Sequence, residues 1–167
     1  RDGCAIATGR VMGESARASV WLRRAMFAVA MIGLGTSAFL AWEYARGGTI
    51  ACPVAGTGCD DVRGSDYSAV LGVPVPWLGL AFYGAFAALE IVRLETVGAG
   101  RRTMDRLIIA MALAGVFASG VFTYVEAYVI DAWCFWCLVS AACTVMLLVL
   151  AAIAEVLQRA SGVGHEA

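Results

Sequence analysis

Charged residues are scarce in this sequence, and lysine is absent altogether from its 167 residues. Charged residues make up 15% of the chain and hydrophobic residues 61%, whereas the apolar share of an ordinary soluble domain is about half. The shortage of charge excludes an ordinary soluble domain and indicates an integral membrane protein. The basic residues also form no stripe with interleaved aromatic residues, so the sequence indicates no nucleic-acid partner.

Four long segments contain no Asp, Glu, Lys or Arg. A spanning helix needs about 20 apolar residues to cross roughly 30 Å of hydrocarbon, and segments 25–42, 68–89, 107–125 and 132–154 approach or exceed that length. Segments of this length form helices in a lipid bilayer, because unpaired backbone groups are costly there. We therefore predict an all-α membrane protein built as a four-transmembrane-helix bundle.

The arginines lie unequally on the two sides of the predicted spans. Five precede the first span, four lie around the second connection and one follows the fourth span, whereas only Arg46 and Arg63 lie on the other side. Since lysine is absent, arginine alone reports the topology through the positive-inside rule. We predict a multi-pass cell (inner) membrane protein with both termini cytoplasmic. Its predicted parts are a cytoplasmic N-terminal segment 1–24, a four-helix catalytic domain 25–157 and a cytoplasmic tail 158–167.

The first external loop, residues 46–75, is rich in Gly, Pro, Asp and Ser and carries two of the six cysteines, Cys52 and Cys59. Residues 60–70 predict a short amphipathic helix, with Val62 and Val70 available to lie on the bilayer surface. The loop is long enough to fold over the external end of the bundle.

A second pair, Cys134 and Cys137, opens the fourth span on the same external side. A Cys-x-x-Cys at a helix N-terminus gains thiolate stability from the helix dipole and from unpaired N–H groups, and the thiolate attacks in thiol–disulfide exchange. The external compartment also favours disulfides. Four cysteines therefore meet at one membrane face, whereas Cys4 and Cys143 have no partner at a useful spacing.

Each pair also has a simpler interpretation. Cys52 and Cys59 alone are consistent with a structural disulfide, and Cys134 and Cys137 with small apolar residues in a packed helix. Four cysteines could bind zinc through Cys-x6-Cys and Cys-x2-Cys halves, but an oxidising exterior and a membrane-edge position favour exchange. Covalent haem attachment requires a histidine after the second cysteine, where this chain has Leu138.

Short motifs follow one another in a recognisable order around the cysteines. Cys52 precedes a run that continues as Cys59-Asp60-x-Val62-x-x-Ser65-x-Tyr67-Ser68, then Gly72-Val73-Pro74, Gly79 and Tyr83, and finally Cys134-x-x-Cys137. This order resembles the vitamin K epoxide reductase family, specifically its bacterial homologues. The resemblance extends from about residue 21 to residue 157, and two cysteine pairs in a four-span topology are a specific signal.

The resemblance implies a membrane thiol:quinone oxidoreductase that supports disulfide bond formation. A separate extracytoplasmic thioredoxin-fold (DsbA-like) protein would be oxidised. A membrane quinone, either menaquinone, ubiquinone or a vitamin K-like quinone, would accept the electrons without a metal. By the family pattern, Cys52 faces the partner, Cys59 passes electrons to Cys134, and Cys137 acts on the quinone. From the chemistry of the residues we expect the helix dipole to favour Cys137 as a thiolate, which is the competent nucleophile. Ser65 falls on the position of a family serine that supports the loop above the site.

Aromatic residues on the predicted spans are candidates for contact with the quinone ring, although such residues more often pack or anchor helices at the membrane interface. The candidates are Trp77, Phe82, Tyr83, Phe117, Phe122 and Tyr124. Animal members of the family place an amide near the start of the second helix and a tyrosine one turn past the second motif cysteine. These neighbourhoods here contain Val75 and Ala141, so we expect simple quinone reduction rather than epoxide reduction.

Two other functional classes fit parts of the sequence. A non-catalytic membrane scaffold with structural disulfides would keep both cysteine pairs oxidised. A small transporter would need a charged residue inside a span, and Glu43 and Glu126, at the ends of spans, are the residues that come near this requirement.

Overall fold

The computed structural model describes residues 2–53, 57–96 and 99–163, with side chains from residue 17 to residue 160 apart from residue 99. The helices and strands are α1 (Asp2–Arg46), α2 (Gly58–Gly64), β1 (Ala69–Val70), β2 (Val73–Pro74), α3 (Val75–Glu95), α4 (Ala99–Val125) and α5 (Phe135–Val163). A 3₁₀ turn, Asp66–Ser68, follows α2, and a π-helical turn, Glu126–Ile130, extends α4.

Four of the helices are long and apolar enough to cross a membrane. The candidate spans are Arg17–Arg46, Val75–Glu95, Gly100–Ile130 and Phe135–Ala160. α5 packs against both α1 and α4, and α3 packs against the same two helices. The predicted four-helix membrane bundle is therefore confirmed, with α2 and the β1–β2 hairpin in the connection between α1 and α3.

Buried apolar side chains from all four spanning helices form the main core. Its largest fully buried members are Met26, Tyr83, Phe86, Ile108 and Leu147. Small residues let the helices approach closely here, as is common in membrane bundles. A Cβ added at Gly33 on α1 would overlap the ring of Tyr83, and one at Gly115 on α4 would overlap the ring of Phe82.

The second span begins later than the sequence predicted. The prediction placed its start at Ser68, but residues 69–74 form an antiparallel hairpin in which Val70 pairs with Val73. The turn residues Leu71 and Gly72 have φ angles of 53° and 81°, and a right-handed helix cannot continue through left-handed backbone. α3 therefore starts at Val75.

The amphipathic helix predicted over 60–70 is wrong in extent. α2 ends at Gly64 because the backbone of Ser65 is extended, with φ −79° and ψ 157°. Val70 belongs to β1 instead. Val62 packs against the cysteines and lines the cavity described below, so its side chain faces the protein.

The ends of the first and fourth spans also differ from the prediction. α1 runs without interruption from Asp2, so residues 2–24 of the predicted N-terminal segment are continuous with the first span in their backbone. The fourth span, α5, starts at Phe135 rather than Ala132. Asp131 takes a left-handed conformation with φ 55° and ends the π-helical turn before it.

At the end of the bundle remote from the cysteines, buried charges pair with one another. The Nε of Arg93 lies 2.5 Å from Oδ1 of Asp105, and its Nη1 lies 3.6 Å from Oε1 of Glu90. The amide of Gln158, in the orientation that satisfies both of its atoms, donates to Asp105 Oδ2 and accepts from Arg93 Nη2. We call these four residues, Glu90, Arg93, Asp105 and Gln158, the charged end.

Candidate active site

The loop between α1 and α3 is held over one end of the bundle by hydrogen bonds between distant residues. The backbone N–H of Ile50 donates to Oδ1 of Asp60 at 2.9 Å, which closes the loop on α2. The indole Nε1 of Trp136, in the first turn of α5, donates to the carbonyl of Ala51 at 2.9 Å. The second bond fixes the loop directly on the helix that carries the other cysteine pair.

Cys52 and Cys59 are joined in a disulfide within this loop. Cys59 is buried, whereas Cys52 is half-buried, so Cys52 is the more accessible sulfur of the loop pair. Within the described ranges 2–53, 57–96 and 99–163, no three His, Cys, Asp or Glu side chains are arranged to hold a metal ion.

Gly58 brings the loop pair against the start of α5. A Cβ at this position would overlap the carbonyl oxygen of Trp133, so glycine permits an approach of two backbones that any other residue would hinder. Gly58 precedes Cys59 and Trp133 precedes Cys134, and both of these cysteines are buried in one cluster. Cys52 and Cys137 pack against the same cluster. The structure thus brings together all four predicted catalytic cysteines, which we call the cysteine end.

Cys134 and Cys137 are free thiols. α5 begins at Phe135, so Cys134 occupies the N-cap position, where a side chain can accept hydrogen bonds from the first N–H groups of a helix. The pKa of Cys134 is lowered, first because the Cys137 thiol donates a hydrogen bond to its sulfur, and further by the backbone N–H groups of Cys137 and Trp136. The sequence interpretation expected Cys137 to be the thiolate that the helix N-terminus favours, whereas the structure gives the N-cap position to Cys134.

Glu126 is the functional candidate that sequence reasoning undervalued. Its side chain is 3% exposed, its Oε2 accepts a hydrogen bond from the backbone N–H of Cys134 at 3.2 Å, and its carboxylate lies close enough to the Cys137 thiol for the two groups to interact. The available signal was an ionisable residue at the end of an apolar span, eight residues before a cysteine motif. The sequence interpretation considered it only as a requirement of a transporter.

A cavity of about 300 Å³ lies beside the four cysteines. Side chains from all four spanning helices and the loop line it, and its surface is mainly apolar. The sulfur-bearing residues Cys59, Cys134 and Cys137 reach it, as does Glu126. The Tyr83 hydroxyl lies 2.8 Å from the carbonyl oxygen of Ser140, to which it donates, and 2.9 Å from the Ser140 hydroxyl. The cavity therefore combines apolar walls with a few polar groups and the second cysteine pair.

The predicted quinone contacts divide into two groups. Phe82, Tyr83 and Phe122 line the cavity. Trp77 and Phe117 do not line it, and they are 52% and 75% exposed on the outside of the bundle. Each of these two lies five residues before a lining aromatic on the same helix, which places it roughly 140° away around the helix axis. Tyr124 is also exposed, at 60%, and contacts the ring of Tyr128.

Ser65 lies just beyond α2 and does not line the cavity. Its hydroxyl donates to the carbonyl of Val62 at 2.7 Å, which satisfies one of the last carbonyl groups of the helix. Its contact is thus within the loop, and its supporting role stays a prediction. Of the two cysteines outside the pairs, Cys143 is buried in the main core, and Cys4 lies outside the residues whose side chains are described.

Comparisons with known proteins agree with this architecture. A sequence model of the vitamin K epoxide reductase family matches residues 24–152, a range that includes both cysteine pairs. The chain is also similar to thiol-disulfide oxidoreductase LTO1 of Arabidopsis thaliana, with 32% identity over 109 residues. That alignment covers 63% of this chain and 29% of the Arabidopsis protein, so the chain spans less than a third of this relative. With the family match extending over most of the chain, this protein belongs to the vitamin K epoxide reductase family.

Proposed function

We propose that this chain is a membrane thiol:quinone oxidoreductase that oxidises an extracytoplasmic thioredoxin-fold (DsbA-like) protein and supports disulfide bond formation. The observation that carries the proposal is the state of the two pairs. One is a disulfide, the other is a free dithiol, and both belong to a single buried cluster beside an apolar cavity. The name of the Arabidopsis relative, a thiol-disulfide oxidoreductase, supports the same reaction class.

Electrons enter at the loop pair. A thiolate of the reduced partner attacks the more accessible Cys52, which breaks the Cys52–Cys59 bond and releases Cys59 as a thiolate. The second thiolate of the partner then attacks the partner sulfur of the mixed disulfide and frees Cys52. The partner leaves as a disulfide, and the loop pair has gained two electrons.

The loop pair then reduces a Cys134–Cys137 disulfide. The Cys59 thiolate attacks Cys134, which releases Cys137, and Cys52 next attacks Cys59, which releases Cys134 and restores the loop disulfide. The N-cap position of Cys134 favours this last step, because a sulfur of lowered pKa leaves more readily. The products are the loop disulfide and the free dithiol, the combination present in the structure.

The cavity fits a quinone as the electron acceptor. Its volume lies at the lower end of the range for small-molecule sites, about 300–1,000 Å³, and Phe82, Tyr83 and Phe122 would contact the ring from apolar walls. A bound quinone supplies an acceptor for two electrons and two protons. Cys137 lines the same cavity, so the dithiol is next to the space that the acceptor would occupy.

The proposed setting is the cell (inner) membrane, with residues 25–157 as the catalytic unit, the cysteine end external and both termini cytoplasmic. The arginine distribution supports this orientation. A membrane-impermeant thiol reagent added to intact, reduced cells should label Cys52 and Cys59 and spare Cys4. Labelling of Cys4 without Cys52 and Cys59 would reverse the orientation.

The alternative is a non-catalytic scaffold in which both pairs stay oxidised. The free Cys134–Cys137 pair supports exchange over that alternative. The deciding assay mixes the purified protein with a reduced DsbA-like protein and a short-chain quinone, and follows hydroquinone and oxidised partner. We expect equal amounts of the two products and no turnover after Ser replaces any of the four cysteines, whereas Cys143→Ser stays active. No turnover by the unmodified protein would favour the scaffold.

A further inference from the structure

Glu126 is the buried acidic side chain closest to the proton chemistry of the site. In addition to its bond from the Cys134 N–H and its contact with the Cys137 thiol, it lines the cavity. A carboxylate in this position costs desolvation energy, and a Gln or Ser would satisfy a backbone N–H equally well. Its charge therefore calls for a role beyond holding the start of α5.

Oxidation of the second pair must release a proton. When Cys134 is a thiolate and Cys137 a thiol, formation of their disulfide yields two electrons and one proton, which leaves from the Cys137 sulfur. Among the described residues, Tyr44 of α1 is a further titratable group near the two sulfurs, and the Arg63 guanidinium of α2 lies 5.6 Å from the Tyr44 ring. A phenol and a guanidinium already hold their protons near neutral pH, so neither accepts one from a thiol.

We propose that Glu126 is a catalytic residue that accepts the Cys137 thiol proton as the Cys134–Cys137 disulfide forms. The inference rests on the proposed function, because it assigns the proton step of the same site. The S–H bond of Cys137 breaks, an O–H bond forms on Glu126, an S–S bond forms, and two electrons pass to the quinone. The proton on Glu126 then supplies one of the two that the hydroquinone needs, and water supplies the other, which replaces the one that Cys134 lost earlier.

The burial of Glu126 favours transfer of the proton from Cys137 to its carboxylate. The Cys137 thiol has a single hydrogen, which faces both the Cys134 sulfur and the Glu126 carboxylate, and formation of the disulfide removes it from between them. A buried carboxylate without that donor is an incompletely compensated charge, and taking up the proton makes it neutral. The same neutral acid can donate into the cavity, since Glu126 lines it.

The test needs a variant that removes the proton-accepting carboxylate but keeps the acceptor for the Cys134 N–H. Glu126→Gln keeps an oxygen that can accept from the Cys134 N–H and removes the base, whereas Glu126→Ala removes both. Glu43→Gln is the matched control, because Glu43 is at the same end of the bundle but belongs neither to the cysteine cluster nor to the cavity lining.

The first readout uses no quinone. Infrared difference spectra are recorded between the reduced protein and the protein oxidised at an electrode, with loss of the thiol S–H band marking oxidation. We expect the carbonyl band of a protonated carboxylic acid to appear in the unmodified protein and in Glu43→Gln, and to be absent in Glu126→Gln. A band that persists in Glu126→Gln, or none in the unmodified protein, overturns the inference.

The second readout is the rate at which a short-chain quinone reoxidises the reduced second pair, measured in a single turnover. We expect Glu126→Gln to slow this step about 100-fold, the lower range for loss of a positioned base, with folded protein unchanged. An unchanged rate in Glu126→Gln shows a structural role only. If the carboxylic acid band appears but quinone oxidises nothing, the proposed function fails alone; if quinone turnover is normal and the band is missing, this inference fails alone.

Discussion

The two ends of the bundle both bury ionisable residues, but they do so in opposite ways. At the charged end, Arg93 is paired with Asp105 and lies within 3.6 Å of Glu90, and the void beside it is only about 10 Å³. At the cysteine end, Glu126 and two free thiols line a cavity of about 300 Å³. Charges that neutralise one another in close packing stabilise a fold, whereas reactive groups that face open space can meet a substrate.

The two ends differ because only one of them pairs each buried charge with an opposite charge. A charge in a membrane helix is costly unless it is paired, and the charged end satisfies that requirement within the chain. The carboxylate of Glu126 instead accepts a hydrogen bond from a backbone N–H and lies next to a thiol. The thiol partner is removed whenever the second pair is oxidised, so the cysteine end changes its electrostatics with its redox state.

The largest effect is expected at the cysteine end. Cys137→Ser should abolish quinone reduction and accumulate a Cys59–Cys134 bridge. Cys134 can still attack the loop disulfide at Cys59, but the Cys137 thiol that would displace Cys59 by forming the Cys134–Cys137 disulfide is gone. Cys52 is then free to hold the partner. Peptide mass spectrometry after rapid thiol blocking identifies the bridge, with Cys143→Ser as the active control. A dominant Cys52–Cys134 bridge would reverse the roles of the loop cysteines, and normal quinone turnover would refute the mechanism.

The charged end should respond in stability and not in chemistry. Arg93→Ala leaves Asp105 and Glu90 buried without the cation that pairs with them, so that only the more distant charge of Arg23 remains. Loss of one partner of a buried pair costs about 3–5 kcal/mol. Unfolding in detergent measures this loss, while turnover per folded molecule should stay unchanged. Arg159→Ala is the control, because its exposed pair with Glu155 should contribute about 1 kcal/mol or less. If Arg93→Ala also lowered turnover per folded molecule, the charged end would contribute to catalysis and the distinction between the two ends would be wrong.

The approach of the two cysteine pairs can be tested at Gly58. A methyl group there would overlap the Trp133 carbonyl and push α2 away from α5. We expect Gly58→Ala to slow electron transfer between the pairs about 100-fold, since a small misplacement of reacting groups can have that effect. Gly64→Ala is the matched control, because an added Cβ at Gly64 contacts nothing within 4 Å. Rapid-quench mapping of disulfides measures the transfer, and equal rates in both variants would show that the contact is unimportant.

The smallest effect is expected at Ser65. Ser65→Ala removes the hydroxyl bond to Val62 and should cost about 1 kcal/mol, but turnover should fall more than the amount of folded protein if the loop positions the thiols. Thr96→Ala removes a similar hydroxyl bond, to Val92 at the far end of α3, and should leave turnover intact. Equal losses of turnover and folded protein in Ser65→Ala would make the serine merely structural.

Much of this protein's architecture follows from local composition. The four spans were predictable because contact with lipid is costly for each charged side chain and each unpaired backbone group individually, so a run without charges is itself the signal. Helix starts were less predictable, since the left-handed turns at Leu71 and Asp131 are properties of backbone conformation that hydrophobic runs do not encode. The cysteine spacing and the flanking motifs similarly identified the family.

The sequence by itself therefore determined the membrane class, the four spans and the two cysteine pairs. Tertiary structure alone decided that Gly58 lies against Trp133, which aromatic residues reach the cavity, and that Glu126 lies against the thiols. These features depend on residues far apart in the chain: Trp136 bonds to Ala51 across 85 residues and Tyr83 to Ser140 across 57. Hydrophobicity is a property of each residue, whereas reactivity requires a particular neighbour, and only the packed helices supply that neighbour.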